Sequence, residues 1–238
     1  TAFGVALGQW CGWSCCGPGV DGKVQLFTGL LVYDAFAVYV RLFLLAFLAL
    51  VLWLSLLTGL PDSDDSADFS TLLLGRTLGM MLMASANHLM MVFIAVEMAS
   101  VPSYAMAGFL KGRKQGSEAA LKYVVYGASA AGVMLYGMSL LAGKFGTGYL
   151  PDLALGYQAV LQRAGFDAVL ICGTLFVVVG LAFKLAAVPF HFWCPDVFEG
   201  AAAEVAAFLS VASKGAALAL TAVVGAADEH RVASGGRG

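Results

Sequence analysis

Long apolar stretches at about 36–60, 88–110, 121–143, 167–192 and 204–227 alternate with short polar or charged connectors. A hydrocarbon core about 30 Å thick is crossed by some 20 helical residues at a rise of about 1.5 Å each, so every stretch predicts a membrane-spanning helix. A sixth stretch, Ser70–Ala86, is shorter and carries Arg76. It predicts a further span in which the Arg76 side chain snorkels to the near surface. Residues 1–20 are uncharged, rich in Gly and Cys, and interrupted at Pro18, which reads as the remnant of another helix. The chain divides into a remnant and connector (1–35), a peripheral span (36–60), a five-helix unit (70–227) and a polar tail (228–238).

The connectors orient these spans. An acidic stretch from Pro61 to Asp68 and a basic one from Lys111 to Lys114 fall on one side of the membrane, joined by a tight turn at Asn87 and His88 on the other. Lys and Arg near span ends set topology, so Lys111, Arg113 and Lys114 place their side in the cytoplasm. Lys23, Arg41, Lys144 and Arg163 on the opposite side reduce the bias.

Composition agrees with a membrane protein. Of 238 residues, 61% are hydrophobic and 12% charged, against about 25% charged in globular proteins, and mean hydropathy is +0.87. A net charge of −2 with no basic face excludes a nucleic-acid footprint. Cys11, Cys15, Cys16, Cys172 and Cys194 show no paired CxxC spacing for zinc or an iron–sulfur cluster.

Against this background three charges stand out. Glu97 is the one charged residue between 77 and 110, Lys184 between 168 and 195, and Lys214 between 205 and 227. A charge at the bilayer centre costs about 2.5 to 3.5 kcal/mol on insertion scales, so such residues face a partner, water or a pathway. Pro102 and Pro189 each follow a charge by five residues. Each removes a helix hydrogen bond, freeing the carbonyl of Met98 or Leu185 beside the charge. The alternative is a simple proline kink, common in membrane helices.

Polar residues accompany the charges at offsets that share a helix face: Ser100 and Tyr104 after Glu97, His191 after Lys184, Ser210 and Thr221 around Lys214. A further stripe runs through Lys122, Tyr126, Ser129 and Tyr136. Taken singly, each hydroxyl is better explained by hydrogen bonding between helices. A buried lysine is destabilised in its charged form and restored by a nearby carboxylate, so a lysine with a movable acid partner is a switchable proton site. Glu97 with Lys184 would form such a pair, with Lys214 beyond it.

Several segments resemble a known family: VEMASVPSYAMAGF (Val96–Phe109), GLAFKLAAVPFHFW (Gly180–Trp193), PDVFEG (Pro195–Gly200) and FLSVASK (Phe208–Lys214). They are similar to the antiporter-like membrane subunits of the proton-pumping NADH:quinone oxidoreductase, respiratory complex I, most closely the N-type subunit, over about residues 25–225. The resemblance implies an all-α, polytopic helix bundle with proline-broken helices: one five-helix half of an inverted-repeat fold, plus a preceding helix. It implies that Glu97 and Lys184 form an ion pair and that Lys214 is a central relay, with Ser100, Tyr104 and His191 in secondary roles. It also implies that NADH, FMN, iron–sulfur clusters and quinone belong to partner membrane and peripheral subunits, with no cofactor in this chain. The expected location is the inner membrane of a bacterium. The second repeat is absent after Thr221, so the resemblance implies a fragment. Where the family usually reads GAPTP, this chain reads GAAAE (Gly200–Glu204), which leaves the start of the last helix less sharply defined.

Rival readings are a subunit of a multi-subunit sodium/proton antiporter and a structural membrane scaffold. His191, Cys194 and Asp196 place a nucleophile near a base, but no oxyanion-hole pattern accompanies them. Gly143 and Lys144 lack the spacing of a phosphate loop.

Overall fold

The computed structural model describes residues 24–59, 65–109, 114–162 and 167–226. The expectations placed on residues 1–20, on Lys23, Lys111, Arg113 and Arg163, and on the tail from 228 lie outside them. A two-stranded antiparallel hairpin, β1 (Val24–Leu26) and β2 (Leu31–Tyr33), pairs Val24 with Tyr33 and Leu26 with Leu31. Among the described residues eight helices follow: α1 (Ala35–Thr58), α2 (Ser66–Met83), α3 (Leu89–Ala107), α4 (Lys114–Phe145), α5 (Leu150–Gln162), α6 (Ala168–Leu185), α7 (Trp193–Gly200) and α8 (Ala203–Ala226). Of these, α1, α3, α4, α6 and α8 are long and apolar enough to cross a membrane.

Local chemistry sets the helix ends. Asp34 caps α1 by accepting from the Ala37 amide at 2.8 Å, and Gly59 closes it with φ 66°. His88 Nδ1 accepts from the Met90 amide at the start of α3. Asp167 caps α6 through the Val169 and Leu170 amides and pairs with Lys144 at the end of α4. The Lys144 ammonium foremost, and these amides, hold the Asp167 carboxyl below the usual carboxylate range against partial desolvation. At the same end of the bundle the hairpin is sewn on by the Val32 amide to Ser85 O and the Asn87 amide to Leu30 O. Arg41 Nη2 adds a bond to Ser85 Oγ at 2.8 Å.

The tightest helix pairs are α4 with α6 and α2 with α3, and small residues explain both. A Cβ built on Gly137 would lie 2.7 Å from Gly173 O, and one on Gly79 would lie 2.5 Å from the Ala99 amide nitrogen. Such close backbone approach is how helices associate where lipid removes the hydrophobic drive. Gly137→Val is therefore expected to push α4 off α6 and cost about 1 to 3 kcal/mol. Thermal unfolding of the purified assembly checks this.

The structure departs from the sequence expectations in three places. The stretch expected to run to 192 ends as a helix at Leu185, and Pro189 lies in the following turn. Pro102 does not break its helix: α3 continues through it. Ser100 Oγ and Ser103 Oγ donate to the Val96 and Ala99 carbonyls on either side of Met98, and neither reaches the Met98 carbonyl itself. Between the apolar stretches ending at 143 and starting at 167 the chain forms α5, a 13-residue helix that opens with Pro151 and Asp152 in its first turn and buries Leu150 and Leu153. Finally, Arg76 does not snorkel to the surface. It is 0% exposed, on the stripe Leu73, Arg76, Thr77, Met80 and Met83 that α2 buries.

Candidate functional site

The site is assembled where α6 stops. The Ala186 amide bonds Phe183 O at 3.1 Å and the Ala187 amide bonds Ala182 O at 2.9 Å, with Ala186 left-handed at φ 54°. This is a Schellman ending, and it places Lys184 in the last turn, where the helix dipole favours a cation. The chain then turns through Pro189, preceded by a cis peptide, into α7. Trp193 Nε1 donates back to Phe183 O at 3.2 Å. Its indole stacks on Tyr123 of α4 at 4.5 Å and 8°. Tyr123 in turn meets Tyr104 of α3 edge-on at 4.7 Å.

From that position Lys184 Nζ reaches α3 and donates to Ser100 Oγ, with the Tyr104 ring 5.9 Å away. The expected contact with Glu97 is not closed. Glu97, three residues before Ser100 on the same face, is half-buried, and its Oε1 is buried without a hydrogen-bond partner. Glu97 still lies close enough for its charge to act on Lys184. The Tyr104 hydroxyl is likewise buried without a partner. It occupies the space a side chain at Gly127 would need. An ammonium, a bridging hydroxyl, an unpartnered carboxylate and a phenol thus converge from α6 and α3, and these groups can pass a proton over short distances.

Lys214 sits on α8, partly buried, with its Nζ 5.9 Å from the Phe198 ring of α7 and close enough to act on Cys194. Helix α7 therefore touches both lysine neighbourhoods: Trp193 bonds the residue before Lys184, and Phe198 meets Lys214. The structure leaves the His191 side chain exposed in the turn between α6 and α7. Ser210 and Thr221 bond carbonyls of their own helix, Ala207 O and Leu218 O. Of the further stripe, Lys122 pairs with Asp196 at 2.8 Å and with Glu118 at 2.9 Å, while Tyr126 and Tyr136 face outward. Gln115, Glu118, Lys122, Asp196 and Glu199 line a cavity of about 190 Å³ at this end of α4.

Two buried charges were not predicted as site residues. Arg76 of α2 lies with its guanidinium carbon 4.8 Å from the Phe208 ring of α8, and Nε, Nη1 and Nη2 have no hydrogen-bond partner. Its position three residues after Leu73 and four before Met80, on the buried stripe, was the available signal. Glu204 is 4% exposed at the start of α8 and accepts from Thr58 Oγ1 at 2.8 Å. Helix α8 thus begins within three residues of α7 despite the GAAAE sequence. Among the described residues no group of three His, Cys, Asp or Glu side chains could hold a metal ion.

The family model described as NADH:quinone oxidoreductase/Mrp antiporter, transmembrane, matches residues 86–232. NADH-quinone oxidoreductase subunit N of Anaeromyxobacter sp. (strain Fw109-5) is 42% identical over 200 residues, covering 82% of this chain and 39% of that protein. The subunit N of Rhodospirillum rubrum is 42% identical over 198 residues, covering 83% of this chain and 40% of that protein. A chain of respiratory complex I from Thermus thermophilus, solved with bound aureothin, superimposes with a TM-score of 0.72 at 32% identity, over 92% of this chain and 44% of that one. A chain of an archaeal membrane-bound sulfane sulfur reductase shares the fold, with a TM-score of 0.73 at 21% identity. The chain spans about two fifths of the length of the curated relatives it matches. It is an integral membrane protein, and it belongs to the transmembrane family of NADH:quinone oxidoreductases and Mrp antiporters.

Proposed function

We propose that this chain works as a proton-translocating membrane subunit of an NADH:quinone oxidoreductase, relaying protons through Glu97, Lys184 and Lys214 while quinone is reduced elsewhere in the assembly. One observation carries the reading. The Lys184 ammonium, in the last turn of an interrupted membrane helix, donates to Ser100 one turn from a buried Glu97 oxygen that has no partner. An ammonium and a carboxylate that lie near one another without contact can open and close as a pair, and closing it changes how tightly the lysine holds its proton. Lys214, on the next long helix and linked through α7, is the onward acceptor. NADH, FMN, iron–sulfur clusters and quinone belong to partner subunits in this reading, and the assembly sits in the inner membrane of a bacterium. The likeness to subunit N proteins supports it.

The test is Lys214→Met in the assembled complex, with proton pumping and NADH oxidation measured together in sealed vesicles. The ratio of protons moved to electrons transferred is expected to fall. An unchanged ratio overturns the relay role.

The family description also names Mrp antiporters, which supports a second reading as a subunit of a multi-subunit sodium/proton antiporter. Purification of the native assembly separates the two: flavin and iron–sulfur subunits accompany the chain in the first case, other antiporter chains in the second.

A further inference from the structure

We propose that Thr58 and Glu204 are positioning residues for Lys214, and that the bond between them fixes the register of α8 against α1. The inference deepens the relay reading and rests on it. Glu204 lies in the first turn of α8 and is 4% exposed. Its Oε1 accepts from Thr58 Oγ1, in the last turn of α1, at 2.8 Å. Its Oε2 is buried without a hydrogen-bond partner among the described residues. The hydroxyl hydrogen of Thr58 is also within reach of the Leu54 and Ser55 carbonyls, at 3.0 and 3.4 Å. The carboxylate is both nearer and the stronger acceptor.

A carboxylate buried with one oxygen unpaired is costly, and an apolar pair of similar size would hold two helices together at least as well. What a hydrogen bond adds is direction, because it weakens steeply once its distance or angle is wrong. Direction matters at this junction, since Gly200–Glu204 holds no proline to fix the backbone where α8 begins.

The rest of the seam between α1 and α8 is aromatic. The Phe47 ring of α1 lies 5.8 Å from the Phe208 ring of α8, and a Cβ built on Gly215 would lie 3.2 Å from the Phe43 ring. Thr58, Phe47 and Phe43 thus meet Glu204, Phe208 and Gly215 in reverse order along the chain, as two antiparallel helices do. At about 100° per residue, these three positions of α8 fall within about 40° of one another. Lys214, next to Gly215, is turned about 80° from Glu204 on the same scale, and its Nζ comes to 5.9 Å from the Phe198 ring of α7. Apolar packing is non-directional. A screw displacement of α8 by one residue would carry Lys214 about 1.5 Å along the axis and about 100° around it, away from α7. The bond from Thr58 to Glu204 supplies the direction that the rings lack.

The experiment is a double-substitution cycle in the assembled complex, recording the amount of complex and the ratio of protons pumped to electrons transferred in sealed vesicles. Thr58 is exposed at the end of α1, so Thr58→Val removes the donor and spares the fold. Thr58→Val and Glu204→Leu are each expected to lower the ratio at least about twofold, because misplacing a transfer group by about 1 Å slows transfer by more than that. The double variant is expected to be no worse than either, because both changes remove the same interaction. Thr58→Ser keeps the hydroxyl, Glu204→Gln keeps an accepting oxygen, and both are expected to keep the ratio. A purely structural role predicts less complex with an unchanged ratio in what remains. That result, losses that add in the double variant, or a Glu204→Gln ratio as low as that of Glu204→Leu, overturns the proposal. A normal ratio in Thr58→Val beside a lowered one in Lys214→Met sinks this inference alone, whereas an unchanged ratio in Lys214→Met sinks the relay reading beneath it.

Discussion

Lys184→Arg is expected to stop NADH-driven proton pumping by at least about tenfold, although it preserves the charge and a donor toward Ser100. The physical reason is the difference between carrying charge and carrying a proton. An arginine in the last turn of α6 keeps the favourable interaction with the helix C-terminus and can still donate to the Ser100 hydroxyl. It cannot lose its proton, because its ordinary range lies far above any working pH. Lys184→Met provides the complementary variant. It fills similar volume and keeps the apolar stem, but brings neither charge nor proton, and Ser100 retains its own bond to the Val96 carbonyl. Both variants are expected to assemble and both to fall silent. The measurement is pumping per NADH oxidised in sealed vesicles, alongside the amount of assembled complex. Pumping by Lys184→Arg at the unsubstituted rate would show that Lys184 supplies only charge, and the relay through it would have to be abandoned.

The sequence made the spans legible because each long apolar run has the length a bilayer demands, and the ends of α1, α3 and α6 carry capping residues or a following proline. Periodicity also brought Ser100 to the face of Glu97 and Tyr104. What it could not supply was the offset between helices. Glu97 and Ser100 are one turn apart, and which of them meets Lys184 depends on a shift of about 5 Å between α3 and α6. That shift is set through α4, which packs on both helices by close approaches such as Tyr104 of α3 on Gly127 and Gly173 of α6 on Gly137, and no pattern within a single helix encodes these. Arg76 shows a different failure. Its long stem invited the expectation of snorkelling, while its place between Leu73 and Met80 on the buried stripe of α2 pointed inward, and packing against α3 and α8 decided the matter. Pro102 shows a third. A proline removes one bond and frees one carbonyl, but the bonds on either side of it still form, so the helix persists where a break was expected.

Trp193→Ala is expected to be the most destabilising single change around the site, costing about 3 to 5 kcal/mol and leaving little assembled complex. The indole is 3% exposed. It stacks on Tyr123 at 4.5 Å and lies tilted against Phe183 at 5.3 Å, and its N–H reaches Phe183 O. Trp193 thus holds the first turn of α7 against α4 and α6 just where the chain leaves its regular helix, and truncation opens a cavity at that junction. Trp193→Phe separates the two contributions. It keeps most of the stack and loses the N–H donor, while Phe183 O keeps its bond from the Ala186 amide, so the expected cost is about 1 kcal/mol. Thermal unfolding of the purified complex, read together with its yield, ranks the variants. The stack seats α7 if the alanine variant unfolds far earlier than the phenylalanine variant. If the two unfold together, the hydrogen bond to the end of α6 carries the junction instead, and the coupling of α7 to the Lys184 turn rests on a single donor.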